Sequence, residues 1–210
     1  MIALEHVLPA DIEKTSFSII AKELAEKGIS LPEELAPIIM RVIHTTADFE
    51  YADTLAFSDG AIDKAKDAIR RGAHIVTDTN MALAGIKKAI LQKFGGEAHC
   101  FMADSEVARL ASEQKVTRAY VSMEVATKTI DKPLIFAVGN APTALIRLRE
   151  LYDETGYKPE LIIGVPVGFV NVVEAKKLIM EMDVPYIVNL GRKGGSGVAA
   201  AICNSLLVNM

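Results

Sequence analysis

The sequence predicts an α/β fold: a mainly parallel five-stranded sheet with helices on both faces and a helical N-terminal arm. Three observations carry this prediction. From residue 73 onward, short β-rich runs alternate with helix-like segments. Those runs are apolar almost throughout instead of alternating in and out, as strands covered on both faces must be. Strands separated by helices then pair in parallel through crossovers. Finally, 50% of the 210 residues are hydrophobic and 24% charged, enough apolar material to cover a real core and too much for a disordered chain.

Each element has its own local reason. Asp11 stands where an N-cap belongs, ahead of a stripe of Ile12, Ser16, Ile19, Ile20 and Leu24 that Gly28 ends. Ser30 and Glu33 have capping-box spacing, and Pro32 or Pro37 marks an early position of a second helix ending near Ile43-His44. Ser58-Asp59 and Gly72 bracket a third helix over 61–71. The run His74-Ile75-Val76-Thr77 is the first strand, and one helix is expected over 81–94, with Leu83, Ile86, Ile90 and Leu91 inward and Lys87, Lys88 and Lys93 outward. Further strands are read at 98–102, 134–138, 161–163 and 186–190. Pro142 opens a helix that carries Leu145, Leu148 and Leu151 inward and stops at Gly156. The expected organisation is one domain over 1–210, with the arm at 1–72 and the α/β core at 73–210.

Charge narrows the function classes. Lys and Arg total 23 against 27 Asp and Glu, a net charge of −4, so the extended basic face that nucleic acid requires is not expected. A locally basic site for a small anion remains open on an acidic protein. Cys100 and Cys203 have no metal-site spacing and read as two reduced thiols of an intracellular protein. The first residues, Met1-Ile2-Ala3-Leu4-Glu5-His6, lack a basic flank and an apolar signal core. No run reaches about 18 apolar residues, so no membrane span and a cytoplasmic location are expected.

In an open parallel sheet, ligands collect beyond the carboxyl ends of the strands. The loops expected there are 77–80, 139–142, 164–171 and 191–197, of which the last reads Gly191-Arg192-Lys193-Gly194-Gly195-Ser196-Gly197. None has P-loop or dinucleotide spacing, so no nucleotide cofactor is expected. His6, His44, His74 and His99 form no ligand pair at metal spacing, so no metal is expected either, and no Gly-x-Ser-x-Gly elbow occurs. His74 and His99 lie in strand-like runs and read as structural. His44 opens the polar stretch His44-Thr45-Thr46-Ala47-Asp48, with Arg41 three residues earlier on the same helix face. A guanidinium beside an imidazole suits a carboxylate-bearing ligand lying over both. Asp48 is close enough to orient the ring or, equally, to cap a turn.

At this point the residues resemble a known family, the precorrin-8X methylmutases (cobalt-precorrin-8 methylmutases) of cobalamin biosynthesis. The matching stretches are Ile12 to Ile20, Arg41 to Ala52, Gly72 to Asp78, Val138 to Leu145, Pro166 to Asn171 and Gly191 to Ser196, in order along nearly the whole chain. Thr15, Ser18 and the loop from Asp78 to Met81 depart from the pattern. The resemblance implies an isomerase that moves a methyl group from C11 to C12 of the corrin precursor by a 1,5-sigmatropic shift. It also implies a homodimer with the site near the subunit interface. His44 matches the family histidine that donates or accepts a proton at the macrocycle, a role suited to a side chain that titrates near neutral pH. Ser16, Arg41 and Arg118 match substrate-binding positions; Asn140, Lys193, Gly194 and Gly195 are added from their place in the loops. Two alternatives stay open: a corrinoid carrier without catalysis, and an enzyme of phosphorylated metabolites that uses the Gly191–Gly197 loop.

Overall fold

A computed structural model describes residues 8, 9 and 11–210; His6 and the rest of the segment read for a targeting signal lie outside them. The elements follow in chain order. They are α1 (Ile12–Glu26), α2 (Ala36–Thr46), α3 (Tyr51–Thr54), β1 (Leu55–Phe57), α4 (Ala61–Arg70), β2 (His74–Thr77), α5 (Asn80–Gly85), α6 (Lys88–Lys93) and β3 (Ala98–His99). Then come α7 (Ser105–Gln114), α8 (Arg118–Thr129), β4 (Leu134–Val138), α9 (Pro142–Thr155), β5 (Leu161–Gly164), α10 (Val172–Met180), β6 (Tyr186–Asn189) and α11 (Ser196–Val208).

The sheet has six strands in the order β1-β6-β5-β4-β2-β3, one more than the sequence predicts. The addition is β1, which runs antiparallel to β6 with Leu55 opposite Asn189 and Phe57 opposite Ile187. All other pairings are parallel. Successive strand residues face opposite layers. Ile75, Ile135, Ala137, Leu161, Ile163 and Ile187 pack with α1, α2, α4 and α11. Val76, Leu134, Phe136, Val138, Ile162 and Val188 pack with α8, α9 and α10. Helices on both faces explain why the central strands carry no polar alternation.

Local expectations fare differently. Gly28 and Gly156 take left-handed φ values of 71° and 72° after α1 and α9, the helix-stopping role read for them. The Ser30–Glu33 capping box does not form: α2 starts at Ala36 with Leu35 before it and Pro37 in its first turn. The helix expected over 81–94 is two helices. Gly85 packs so closely on α11 that an added Cβ would lie 2.8 Å from Ala200 Cβ. Asn204 then takes over the helix hydrogen bonds: its Nδ2 donates to Gly85 O at 2.8 Å and its Oδ1 accepts from Lys87 N–H at 2.8 Å.

Two packing relations position the candidate site. Helix α2 buries Ile38, Ile39, Val42 and Ile43, each worth about 1.5–3 kcal/mol, in the layer that contains α11. The two helices run antiparallel: Ser205 Oγ donates to Pro37 O at 3.0 Å at one end, while Thr45 approaches Gly197 at the other. The C-terminus of α2, with His44, is thereby carried to the carboxyl end of the sheet.

Candidate active site

Strand order reverses between β2 and β4: β3 lies beyond β2 on one side, while β5 and β6 extend from β4 on the other. At the carboxyl end of that junction, Asp78 is 1% exposed. Its Oδ1 accepts from Gly139 N–H at 2.8 Å, and its Oδ2 accepts from Asn140 and Ala141 N–H at 2.8 and 2.6 Å. Burial pushes this carboxyl up, and the three backbone donors pull against that push. These donors lead into α9, whose N-terminus also favours negative charge. The crevice where open α/β sheets commonly receive a ligand is filled by the chain's own carboxylate.

The loop after β6 is fixed from beneath. Lys176, a buried lysine on α10, donates from Nζ to Gly191 O and Lys193 O at 2.8 and 2.9 Å; burial lowers its pKa to about 8. Asn189 Nδ2 donates to the same Lys193 O at 2.9 Å. Gly194 runs against the loop after β5 so tightly that a Cβ there would lie 2.1 Å from Val165 O. Gly195 N–H is given to Val165 O at 2.9 Å. From the exposed side of this loop, Lys193 Nζ donates to Asp48 Oδ2 at 2.6 Å and Glu50 Oε2 at 2.7 Å. The pair of carboxylates raises the lysine pKa, and Lys193, followed by the Glu50 N–H, lowers that of Asp48. Of the two roles open to Asp48, the structure shows the turn: its Oδ1 accepts from Glu50 N–H at 3.0 Å, while its other oxygen meets Lys193.

His44 is exposed in the last turn of α2, and its ring stacks on Phe17 of α1 with centroids 5.4 Å apart and planes 17° from parallel. The Arg41 guanidinium lies 4.8 Å from the same Phe17 centroid and donates to Glu13 Oε1 at 2.8 Å, which lowers the Glu13 pKa. Ser16 is half-buried next to them, its hydroxyl donating to Ile12 O at 2.9 Å. His44, Arg41 and Ser16 thus gather around Phe17. Lys193 reaches the turn after α2 through its contacts with Asp48 and Glu50, and Gly194 and Gly195 follow it in the loop against Val165.

Arg118 stands apart, exposed at the first position of α8. The hydroxyls of Thr117 and Thr143, 2.6 Å apart, tie that helix start to the start of α9 and so to the Asn140 side of the rim. An arginine at a helix N-terminus opposes the helix dipole, so helix stability does not account for it. Exposed apolar side chains follow the carboxyl ends of three strands: Met81 at 75% after β2, Val167, Phe169 at 82% and Val170 at 78% after β5, and Leu190 after β6. The Arg192 guanidinium covers the Phe169 ring at 5.3 Å. Two clefts elsewhere suit an anionic ligand less. One of about 480 Å³ is lined by Glu33, Glu34, Asp59 and Asp63, and another of about 530 Å³ lies along Ser58 and Tyr186 at the opposite end of β6.

Sequence reasoning singled out neither Phe17, Asp78 nor Lys176. For Asp78 a signal existed, an acidic residue directly after the strand-like run His74-Ile75-Val76-Thr77. For Phe17 and Lys176 it did not, since partial burial of an aromatic and full burial of a lysine are set by neighbours distant in the chain.

Residues 11–209 match the family described as precorrin-8X methylmutase. A cobalt-precorrin-8 methylmutase of Salmonella typhimurium is 44% identical over 206 residues, covering 96% of each chain. A precorrin-8X methylmutase of Pseudomonas aeruginosa is 36% identical over 93% of each. Among solved structures, a precorrin-8X methylmutase from Thermus thermophilus superposes with a TM-score of 0.84 at 39% identity, covering 94% of this chain and 96% of that one.

Proposed function

The chain belongs to the precorrin-8X methylmutase family and is an isomerase; on that premise we propose that it moves the C11 methyl group of cobalt-precorrin-8 to C12 with His44 as proton donor and acceptor. The observation that carries this reading is the place of His44. Its imidazole is exposed at the carboxyl rim, its plane is set by the stack on Phe17, and Arg41 lies one helical turn away. A proton lent to the macrocycle redistributes its π electrons while the bond to C11 breaks and the bond to C12 forms. Returning that proton to His44 leaves no net change in composition, as an isomerisation requires. General acid–base assistance of this kind is worth about 10²–10⁴-fold, and holding one ring conformer contributes further.

Ser16, Arg41, Arg118, Asn140 and Lys193 are the groups proposed to meet the acetate and propionate arms, and the exposed apolar side chains of the rim suit the ring face. Arg41 and Lys193 are already paired with carboxylates, so substrate acids would exchange with Glu13, Asp48 and Glu50 instead of meeting bare cations. Gly194 contributes close packing of the loop, and Gly195 its φ of 138° and the bond from its N–H to Val165 O. The cobalt form is preferred because relatives named for it reach 44% and 43% identity, against 39% and 36% for two named for precorrin-8X. A cytoplasmic homodimer with the site beside its interface completes the proposal. Among the described residues no helix is long and apolar enough to cross a membrane.

The test is His44→Ala presented with cobalt-precorrin-8. Binding, read from perturbation of the substrate spectrum, should stay within a few-fold of wild type, while rearrangement slows by about 10²-fold or more. Turnover at the wild-type rate would remove the acid–base role. Binding without conversion by the wild-type protein would instead favour a carrier.

A further inference from the structure

The β2–β3 edge carries a second cluster of chemically capable side chains, separate from the rim. His74 opens β2 and His99 closes β3, two strands paired in parallel with Ile75 opposite Ala98 and Val76 opposite His99. This pairing sets His74 Nδ1 2.8 Å from His99 Nε2. Glu97, just before β3, brings Oε2 to 4.0 Å from that same His99 nitrogen. The potential ligand atoms of all three residues lie within 4.8 Å of one another. The rings are held in place: His74 and His99 stack at 5.0 Å, and Phe101 continues the stack at 6.2 Å from His99. His74 lies four residues before Asp78, about 13 Å along the strand direction, and His99, opposite Val76, lies about 7 Å before it; none of the three cluster residues is among those proposed to meet the substrate.

We propose that His74, His99 and Glu97 form a binding site for a divalent transition ion of the zinc class. Two imidazoles and one carboxylate are a known donor set for zinc, with water in the fourth position. With bonds of about 2.05 Å, a tetrahedral ion holds its ligand atoms about 3.3 Å apart. The two histidine nitrogens would part by about half an ångström, and the Glu97 oxygen would close by about 0.7 Å on His99 and by up to about 1.5 Å on His74. Both shifts are within the reach of side-chain torsions, since Glu97 is exposed and His99 partly so. The two histidines stand 25 residues apart in sequence, which is why ligand spacing along the chain does not reveal them; the sheet makes the site. Its consequence is structural. β3 is two residues long and lies at the sheet edge, and an ion bridging both strands fastens that edge as a short ladder of backbone hydrogen bonds does only weakly.

The test is titration of the chelator-treated full chain with zinc chloride, followed by calorimetry and by thermal unfolding. One ion per chain is expected, with an upward shift of the melting temperature. His99→Ala should weaken binding by more than the ~10–100-fold typical of losing an outer-shell partner and cancel the thermal shift. Cobalt(II) in place of zinc should show the intense visible absorption of a four-coordinate site in the wild type alone. Absence of stoichiometric zinc binding, or binding that survives His99→Ala, overturns the proposal. Should His99→Ala fail to fold, Glu97→Gln takes its place with the same two outcomes, because its side chain is exposed.

Discussion

Asp78 offers a sharp quantitative test, because one carboxylate serves three backbone donors. Hydrogen bonds to a charged acceptor contribute about 1.5–3 kcal/mol each, and removing one partner from a buried charged cluster typically costs about 3–5 kcal/mol once desolvation of the lost charge is returned. Asp78→Ala should therefore lower stability by about 3–5 kcal/mol. Asp78→Asn is the more informative change because it keeps the shape. An amide oxygen can serve Asn140 and Ala141, but the amide nitrogen then points donor against donor at the Gly139 N–H. The buried site offers it no room to turn away, since Gly139 itself packs on α11, where an added Cβ would lie 2.7 Å from Ser196 Cα. The expected cost of Asn is within about 1 kcal/mol of that of Ala. Equilibrium urea unfolding at one fixed protein concentration measures both, with an unchanged m value as the check that only stability has moved. If Asn falls within about 0.5 kcal/mol of wild type, the level of an ordinary surface change, the carboxylate is packing and not clasping the loop.

Two other outcomes follow from the rim. Gly194→Ala puts a methyl 2.1 Å from the backbone oxygen of Val165 and should cost at least about 2 kcal/mol as overpacking, with loss of turnover. Gly28→Ala, which has open space but a φ of 71°, should cost only about 1 kcal/mol, and urea titration ranks the two. Lys176 gives a pH signature. Its pKa is lowered from 10.5 to about 8 in the fold, so between those values the unfolded chain binds more protons and stability from this group rises with pH. The rise is bounded at roughly 3 kcal/mol, the two carbonyl acceptors working to reduce it. The difference in unfolding free energy between wild type and Lys176→Met, measured at pH 7.5 and pH 10, should move in favour of wild type at the higher pH; a flat difference refutes the assignment.

The central sheet is legible in the sequence because its strands are buried on both faces and so read as unbroken apolar runs such as Leu134 to Val138. Helix stops at Gly28 and Gly156 are legible because a positive φ has few takers. What resists reading is whatever one distant partner decides. β1 is three residues long and edge-paired, too short for any period to register. The break between α5 and α6 depends on Asn204, more than a hundred residues away. At the site, motif order picks out His44, Arg41 and the Gly191–Gly197 loop, while the partners that orient them, Phe17, Glu13 and Lys176, come from other helices. Spacing places Asp48 near His44 and leaves its role open; only the fold shows that Lys193 meets it.

The clasp at Asp78 also bears on why the rim has its character. A doubly wound sheet usually leaves the junction at its strand-order reversal for a ligand, and helix N-termini there suit phosphate. Here that pocket is spent on an internal carboxylate, and a second anion would face the charge of Asp78 across the same three N–H groups. In the proposed reading, recognition falls instead to long side chains on the loops and to the end of α2 and the start of α8. A rim that exposes Met81, Val170 and Phe169, the last under the Arg192 guanidinium, is poor at enclosing a compact phosphate ester. It is well matched to a broad, flat ring whose acids radiate from its edge. The same feature that removes the ordinary nucleotide site thus argues for the kind of substrate proposed.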